Sequence, residues 1–163
     1  MKLVFFDVDG TISAPGYPVD GTFKIGMDDD AWGPYCEAAG EDGYKYCSAV
    51  PAMIDYAEEN KKAGNRTFVL TAVYNDPEVR AKEKFIAMNY PGLFEEILTV
   101  SCAEDKIGVM RDYAAKFNVP LEDCELVDDT YSLLLKVVVA GMKATHTVNV
   151  CANYEKKLLD RLG

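Results

Sequence analysis

Asp7 and Asp9 stand two apart, directly after the apolar run Leu3-Val4-Phe5-Phe6 and directly before Gly10. Paired carboxylates of this kind can hold a hard cation, or divide the work of nucleophile and acid–base catalyst. Three more polar positions follow apolar runs in the same way. Thr71 closes Thr67-Phe68-Val69-Leu70, Lys106 comes shortly after Ile97-Leu98-Thr99-Val100, and Asp128-Asp129 close Cys124-Glu125-Leu126-Val127. Together they offer carboxylates able to act as nucleophile or proton carrier, a hydroxyl, and one ammonium able to sit beside an anionic group. Each alone also has an ordinary structural explanation. Asp9-Gly10 makes a turn after a strand, Thr71 satisfies local backbone, Lys106 is a solvated helix lysine, and Asp128-Asp129 cap the helix that follows.

The elements between these positions decide whether they can meet. Leu3 to Phe6 suits a strand buried on both faces. Val50, Met53, Ile54 and Ala57 mark a helical face that stops at Gly64-Asn65. A second helix is expected from Asp76 as N-cap, with Pro77 at its first position, to about Asn89. Ser101-x-x-Glu104 reads as a capping box opening a helix with Ile107, Met110, Ala114 and Phe117 on one side. A further helix is expected over residues 130–140, then a fifth strand over Ala144 to Val148 and a closing helix over Tyr154 to Leu162. Strands alternating with helices predict an α/β, three-layer, Rossmann-like parallel sheet of about five strands with helices on both faces. All C-terminal strand ends then share one edge, and the polar positions converge there.

Asp7-x-Asp9-Gly10-Thr11, the strand ending in Thr71, Lys106 near a helix start, and Leu126-Val127-Asp128-Asp129-Thr130 with Ala140-Gly141 resemble, in order and spacing, the four motifs of the haloacid dehalogenase superfamily. The resemblance covers about residues 2 to 148. It implies strand order 5-4-1-2-3 and a Mg2+-dependent phosphatase. Asp7 takes the part of nucleophile through an aspartyl-phosphate, and Asp9 that of general acid and base; dehalogenases and cation pumps of the superfamily differ at this second acid. Thr71 and Lys106 hold the transferring oxygens. The implied metal ligands are Asp7, the backbone carbonyl of Asp9, and Asp129 with Asp128. Many relatives carry another acid at position 133, which is Leu here, and the paired Asp128-Asp129 leaves open which carboxylate touches the metal. Two alternatives stay beside hydrolysis: a phosphotransferase or mutase using the same aspartyl-phosphate, and a non-catalytic binding module.

The segment from Ser13 to Ser48 does not share the regular pattern. It holds six aromatics, seven acids and only two lysines. A hairpin fits the turn-rich stretches Ala14-Pro15-Gly16-Tyr17-Pro18 and Val19-Asp20-Gly21-Thr22 with Phe23-Lys24-Ile25, and a short helix capped within Asp28-Asp29-Asp30 is expected after it. Only 34 residues separate Thr71 from Lys106, too few for a large cap. Residues 13–48, as an insert within a single domain over 1–163, are therefore the candidate small cover. Trp32 and Tyr35 on it, with Ala72 beside Thr71, are the candidate substrate contacts, against the alternative that the aromatics only pack a small core of their own. Seven acids against two lysines disfavour multiply phosphorylated substrates and favour a small metabolite monophosphate.

Composition narrows the remaining classes. The 163 residues carry a net charge of −10, and no basic run is present to neutralise a nucleic-acid backbone. Five scattered cysteines without a CxxC pair, and a single histidine, His146, do not make a zinc site. The apolar stretch Leu133 to Met142 is interrupted by Lys136 and too short to span a bilayer. No signal peptide is recognised, so the expected location is cytoplasmic.

Overall fold

The computed structural model describes residues 1–14, 17–19, 22–24 and 29–162. Its centre is β1 (Leu3–Phe6), whose four side chains are all fully buried. From there the chain makes the short strand β2 (Ser13–Ala14), the hairpin β3 (Tyr17–Val19) and β4 (Thr22–Lys24), helix α1 (Asp29–Ala39), and β5 (Ser48–Ala49). β5 pairs antiparallel with β2, so the excursion leaves and returns through one two-stranded ribbon. The hairpin pairing matches the sequence expectation; its turn residues Asp20 and Gly21, and Asp28 as a helix cap, lie outside the described residues.

The regular part follows as α2 (Pro51–Lys62), β6 (Arg66–Ala72), α3 (Asp76–Asn89), β7 (Ile97–Val100), α4 (Lys106–Lys116), β8 (Cys124–Asp128), α5 (Tyr131–Val139), β9 (Lys143–His146) and α6 (Thr147–Leu162). The main sheet has the order β7-β6-β1-β8-β9, with every neighbouring pair parallel. Counted over the sheet's own five strands and read from the β9 edge, this is 5-4-1-2-3, as expected. Alternation along β1 divides the core. Val4 and Phe6 pack with Met53 and Ala57 of α2, Ala81 and Phe85 of α3 and Val150 of α6. Leu3 and Phe5 pack with Met110 and Ala114 of α4 and Leu133 and Val137 of α5. Each fully buried Phe contributes about 1.5–3 kcal/mol of transfer free energy.

Three element ends differ from the sequence expectation, each for a local reason. The N-cap of α3 is Asn75, whose side chain accepts the Glu78 N–H at 3.0 Å; Asp76 and Pro77 lie inside the first turn. Ser101 and Glu104 form no capping box. A 3-10 turn over Ala103–Asp105 leads into α4, and Glu104 pairs instead with Lys136 at 2.9 Å. α6 starts at Thr147, seven residues before Tyr154, because β9 ends at His146, whose Nδ1 accepts the Val148 N–H at 3.1 Å. Among the described residues, no helix is long and apolar enough to cross a membrane.

Candidate active site

β1 and β8 are hydrogen-bonded neighbours at the centre of the sheet, and their ends carry the first acids. The Asp7 N–H donates to the Val127 carbonyl at 2.9 Å, so the ladder continues one residue past β1. Asp7 is thereby held beside Asp128, the last residue of β8. Lys106, at the first position of α4, lies between them: its Nζ is 2.7 Å from Asp7 Oδ1 and 2.8 Å from Asp128 Oδ2. All three residues are buried. The second Asp128 oxygen accepts the Thr130 N–H at 2.8 Å.

Burial pushes the Asp7 carboxyl up to about 6; Lys106 opposes the rise, while Asp128 and Asp9 add to it. Burial works against the Lys106 ammonium, but Asp7 and Asp128 outweigh it and hold its pKa above the ordinary lysine value. Asp129 is raised by burial and then by Asp128. The cluster is short of positive charge.

Asp129 comes into the site through a close approach to the turn after β1. Gly10 has φ +71°, and a Cβ there would lie 2.0 Å from Asp129 Oδ2. Glycine is needed at this position both for the left-handed conformation and for the space. Oxygens of Asp7, Asp128 and Asp129 all fall within 4.8 Å of one another. An octahedral cation about 2.1 Å from each oxygen needs donors about 3 to 4 Å apart, a separation of the same order as the spacing of this trio.

The other half of the site is organised by a lysine that motif spacing did not single out. Lys82 is on α3, only 1% exposed, and its ammonium points inward. It pairs with Asp9 Oδ2 at 2.9 Å and Glu78 Oε1 at 2.8 Å, and donates to the Thr71 hydroxyl at 2.9 Å and the Ala72 carbonyl at 2.7 Å. Burial disfavours its charge, but Asp9 and Glu78 prevail and the pKa is raised. The sequence signal for it was weak: a lysine four residues after Glu78 reads as an exposed i,i+4 pair.

Tyr44, fully enclosed near the end of the insert, donates to Asp9 Oδ1 at 2.5 Å. Its ring packs against Trp32 (centroids 6.0 Å) and Phe85 (5.8 Å), and Trp32 in turn lies 5.5 Å from Tyr35. The Tyr35 hydroxyl donates to the Gly43 carbonyl at 2.8 Å. Thus Asp7, Lys106, Asp128 and Asp129 form one cluster, and Asp9, Thr71 and Ala72 meet at Lys82. Trp32 and Tyr35 stand behind Tyr44, in an aromatic group that packs the insert on α3.

No protein-family model and no curated protein matches the sequence. Solved structures resemble its fold. A HAD hydrolase, family IA, variant 3, from Entamoeba histolytica superposes with TM-score 0.60 at 16% identity, over 90% of this chain and 83% of the other. A D,D-heptose 1,7-bisphosphate phosphatase from B. bronchiseptica, complexed with magnesium and phosphate, gives 0.58 at 19% identity, over 88% and 79%. A shorter likeness, to a structure from Lactobacillus delbrueckii, spans 44% of that chain at TM-score 0.49 and carries no weight. These superpositions show that this chain shares the fold of both proteins, a parallel sheet with helices on its two faces.

Proposed function

We propose that this chain is a Mg2+-dependent phosphomonoester hydrolase that works through an aspartyl-phosphate on Asp7. The observation that carries the reading is the Asp7–Lys106–Asp128 cluster, with Asp129 beside it, at the C-terminal edge of the sheet. This is where parallel α/β sheets bind ligands. Counting Lys82 and its partners, five carboxylates (Asp7, Asp9, Glu78, Asp128, Asp129) face two ammoniums. A phosphate dianion cannot approach that balance unless a cation offsets it. Asp7, Asp128 and Asp129 fit such an ion, with the Asp9 backbone carbonyl as a further ligand. When bound, Mg2+ supplies positive charge to carboxylate and phosphoryl oxygens alike.

The protein's own groups then divide the reaction. The Asp7 carboxylate oxygen that Lys106 leaves free attacks phosphorus, and the bond from phosphorus to the leaving oxygen breaks. Asp9 gives that oxygen its proton, then takes one from the water that attacks phosphorus and frees Asp7. Lys106 stabilises the charge on the phosphoryl oxygens. The Thr71 hydroxyl assists from the neighbouring strand end.

Residues 13–48 serve as a small cover in this reading. The support is that α1 and the turn over Gly40–Asp42 pack on α3 while Tyr44 reaches Asp9. The substrate class is a small monophosphate. A panel of metabolite monophosphates, assayed for phosphate release with Mg2+ and with EDTA, tests the reading. Turnover of at least one that disappears in EDTA is expected; undiminished turnover after exhaustive metal removal contradicts it.

A further inference from the structure

Lys82 does more than its position on α3 requires. A lysine four residues after a glutamate on a helix ordinarily pairs at the surface and keeps its ammonium in water. Here the whole side chain is buried, and three N–H groups face four acceptors: Asp9, Glu78, Thr71 and Ala72. Glu78 is itself fixed, because its other oxygen accepts the Tyr74 N–H at 2.8 Å. A chain of contacts therefore runs from the backbone before α3, through Glu78 and Lys82, to two separate strand ends. One is the turn after β1, which carries Asp9; the other is the end of β6, which carries Thr71.

Asp9 is the member of this group that faces solvent. Its side chain is 43% exposed, in contrast to the buried lysine that holds it. Its second oxygen is engaged by Tyr44, which belongs to the insert and is packed against Phe85 of α3. Both carboxylate oxygens are thus directed by groups braced on the same helix.

We propose that Lys82 is a positioning residue for proton transfer: with Tyr44 it sets the direction of the Asp9 carboxyl and fixes it relative to the Thr71 hydroxyl, without touching the substrate. This rests on the phosphatase reading above, in which Asp9 protonates the leaving oxygen. A leaving group that departs readily without a proton tolerates a misplaced Asp9; a poor one does not.

The test uses the full chain with Lys82→Met, and also with the charge-balanced pair Glu78→Gln/Lys82→Met, which leaves no buried carboxylate without its lysine. With Mg2+ present, kcat/KM, which reads only the steps up to departure of the alcohol, should fall about 10- to 100-fold on phenyl phosphate, within the range that acid–base help supplies, and by less than about 3-fold on p-nitrophenyl phosphate. On an Asp9→Asn background, Lys82→Met should add less than about 2-fold, because neighbours acting through one group are not additive. Equal losses of kcat/KM on both substrates that persist on the Asp9→Asn background overturn the proposal and leave Lys82 a packing residue. A crystal structure of the paired variant tests it without turnover: the Asp9 carboxyl should take a new rotamer, and an unmoved Asp9 overturns the proposal. A wild-type chain inactive on every phosphomonoester would end the phosphatase reading, while the positioning claim is still decided by that structure.

Discussion

Replacing Lys106 by Met should make the metal-free protein markedly less stable, by an amount that depends on pH in a defined direction. The ammonium lies within 2.8 Å of an oxygen on each of two buried carboxylates. At an effective dielectric of about 20, one such pair at about 4 Å between charge centres is worth roughly 4 kcal/mol. Deleting one partner of a buried pair typically costs about 3–5 kcal/mol. Protonation limits the loss. Asp7 already sits at about 6, against an ordinary 3.8, and rises further without Lys106. Loading it with a proton at pH 7.5, from an unfolded value near 3.8, costs about 5 kcal/mol, of which wild type with Asp7 at about 6 already bears about 3, so protonation adds about 2 kcal/mol to the loss and less at lower pH. The two routes bracket the loss at about 2–5 kcal/mol at pH 7.5, or about 4–20 °C in Tm for a chain of this size. Thermal unfolding of wild type and Lys106→Met in EDTA, at pH 7.5 and pH 5.5, reads this directly. The gap should narrow at the lower pH. A variant within about 2 °C of wild type at pH 7.5, or a gap that widens on acidification, refutes the electrostatic account of the cluster.

Four further outcomes follow from the same geometry. Asp7→Asn should abolish turnover yet stabilise the metal-free protein at pH 7.5, by about 1–3 kcal/mol in urea melts. Because burial raises Asp7, its ionised form is a cost above pH 6, and the variant's gain should disappear between pH 6 and about 4. Asp9→Asn should slow turnover about 10²- to 10⁴-fold with KM little changed, measured by steady-state kinetics. Gly10→Ala places a Cβ 2.0 Å from Asp129 Oδ2 at φ +71°; it should cost about 1–3 kcal/mol and weaken Mg2+ binding in calorimetry. Trp32→Ala should raise KM for the physiological substrate more than for p-nitrophenyl phosphate, since a small aryl ester needs little from the cover; equal rises would reduce Trp32 to packing.

The sheet was legible because its strands are short apolar runs that end in polar residues. Leu3–Phe6 could be read as doubly buried from composition alone, and its neighbours followed from the alternation of strands and helices. That Asp7, Lys106 and Asp128 would meet was legible for the same reason, since strand ends in a parallel sheet share an edge. Lys82 was not, because nothing local separates a buried i,i+4 lysine from an exposed one. Its burial depends on Asp9 and Thr71, 73 and 11 residues earlier in the sequence. Tyr44 was counted among the insert's aromatics, but its hydroxyl's partner could not be named without the return path through β5. The helix ends that moved did so through side chains with equal local claims. Asn75 and Asp76 can both cap a helix, and only the extended backbone of Asn75 decides between them.

The central claim is that Asp7 forms a covalent phosphoryl intermediate. Quenching the enzyme during Mg2+-supported turnover with borohydride, followed by peptide mass spectrometry, tests it most directly, because reduction of an acyl phosphate leaves homoserine in place of the aspartate. Homoserine at position 7, absent in EDTA and absent from Asp7→Asn, is the predicted result. Full turnover with an unmodified Asp7, or homoserine at Asp9, Asp128 or Asp129 instead, would contradict the account.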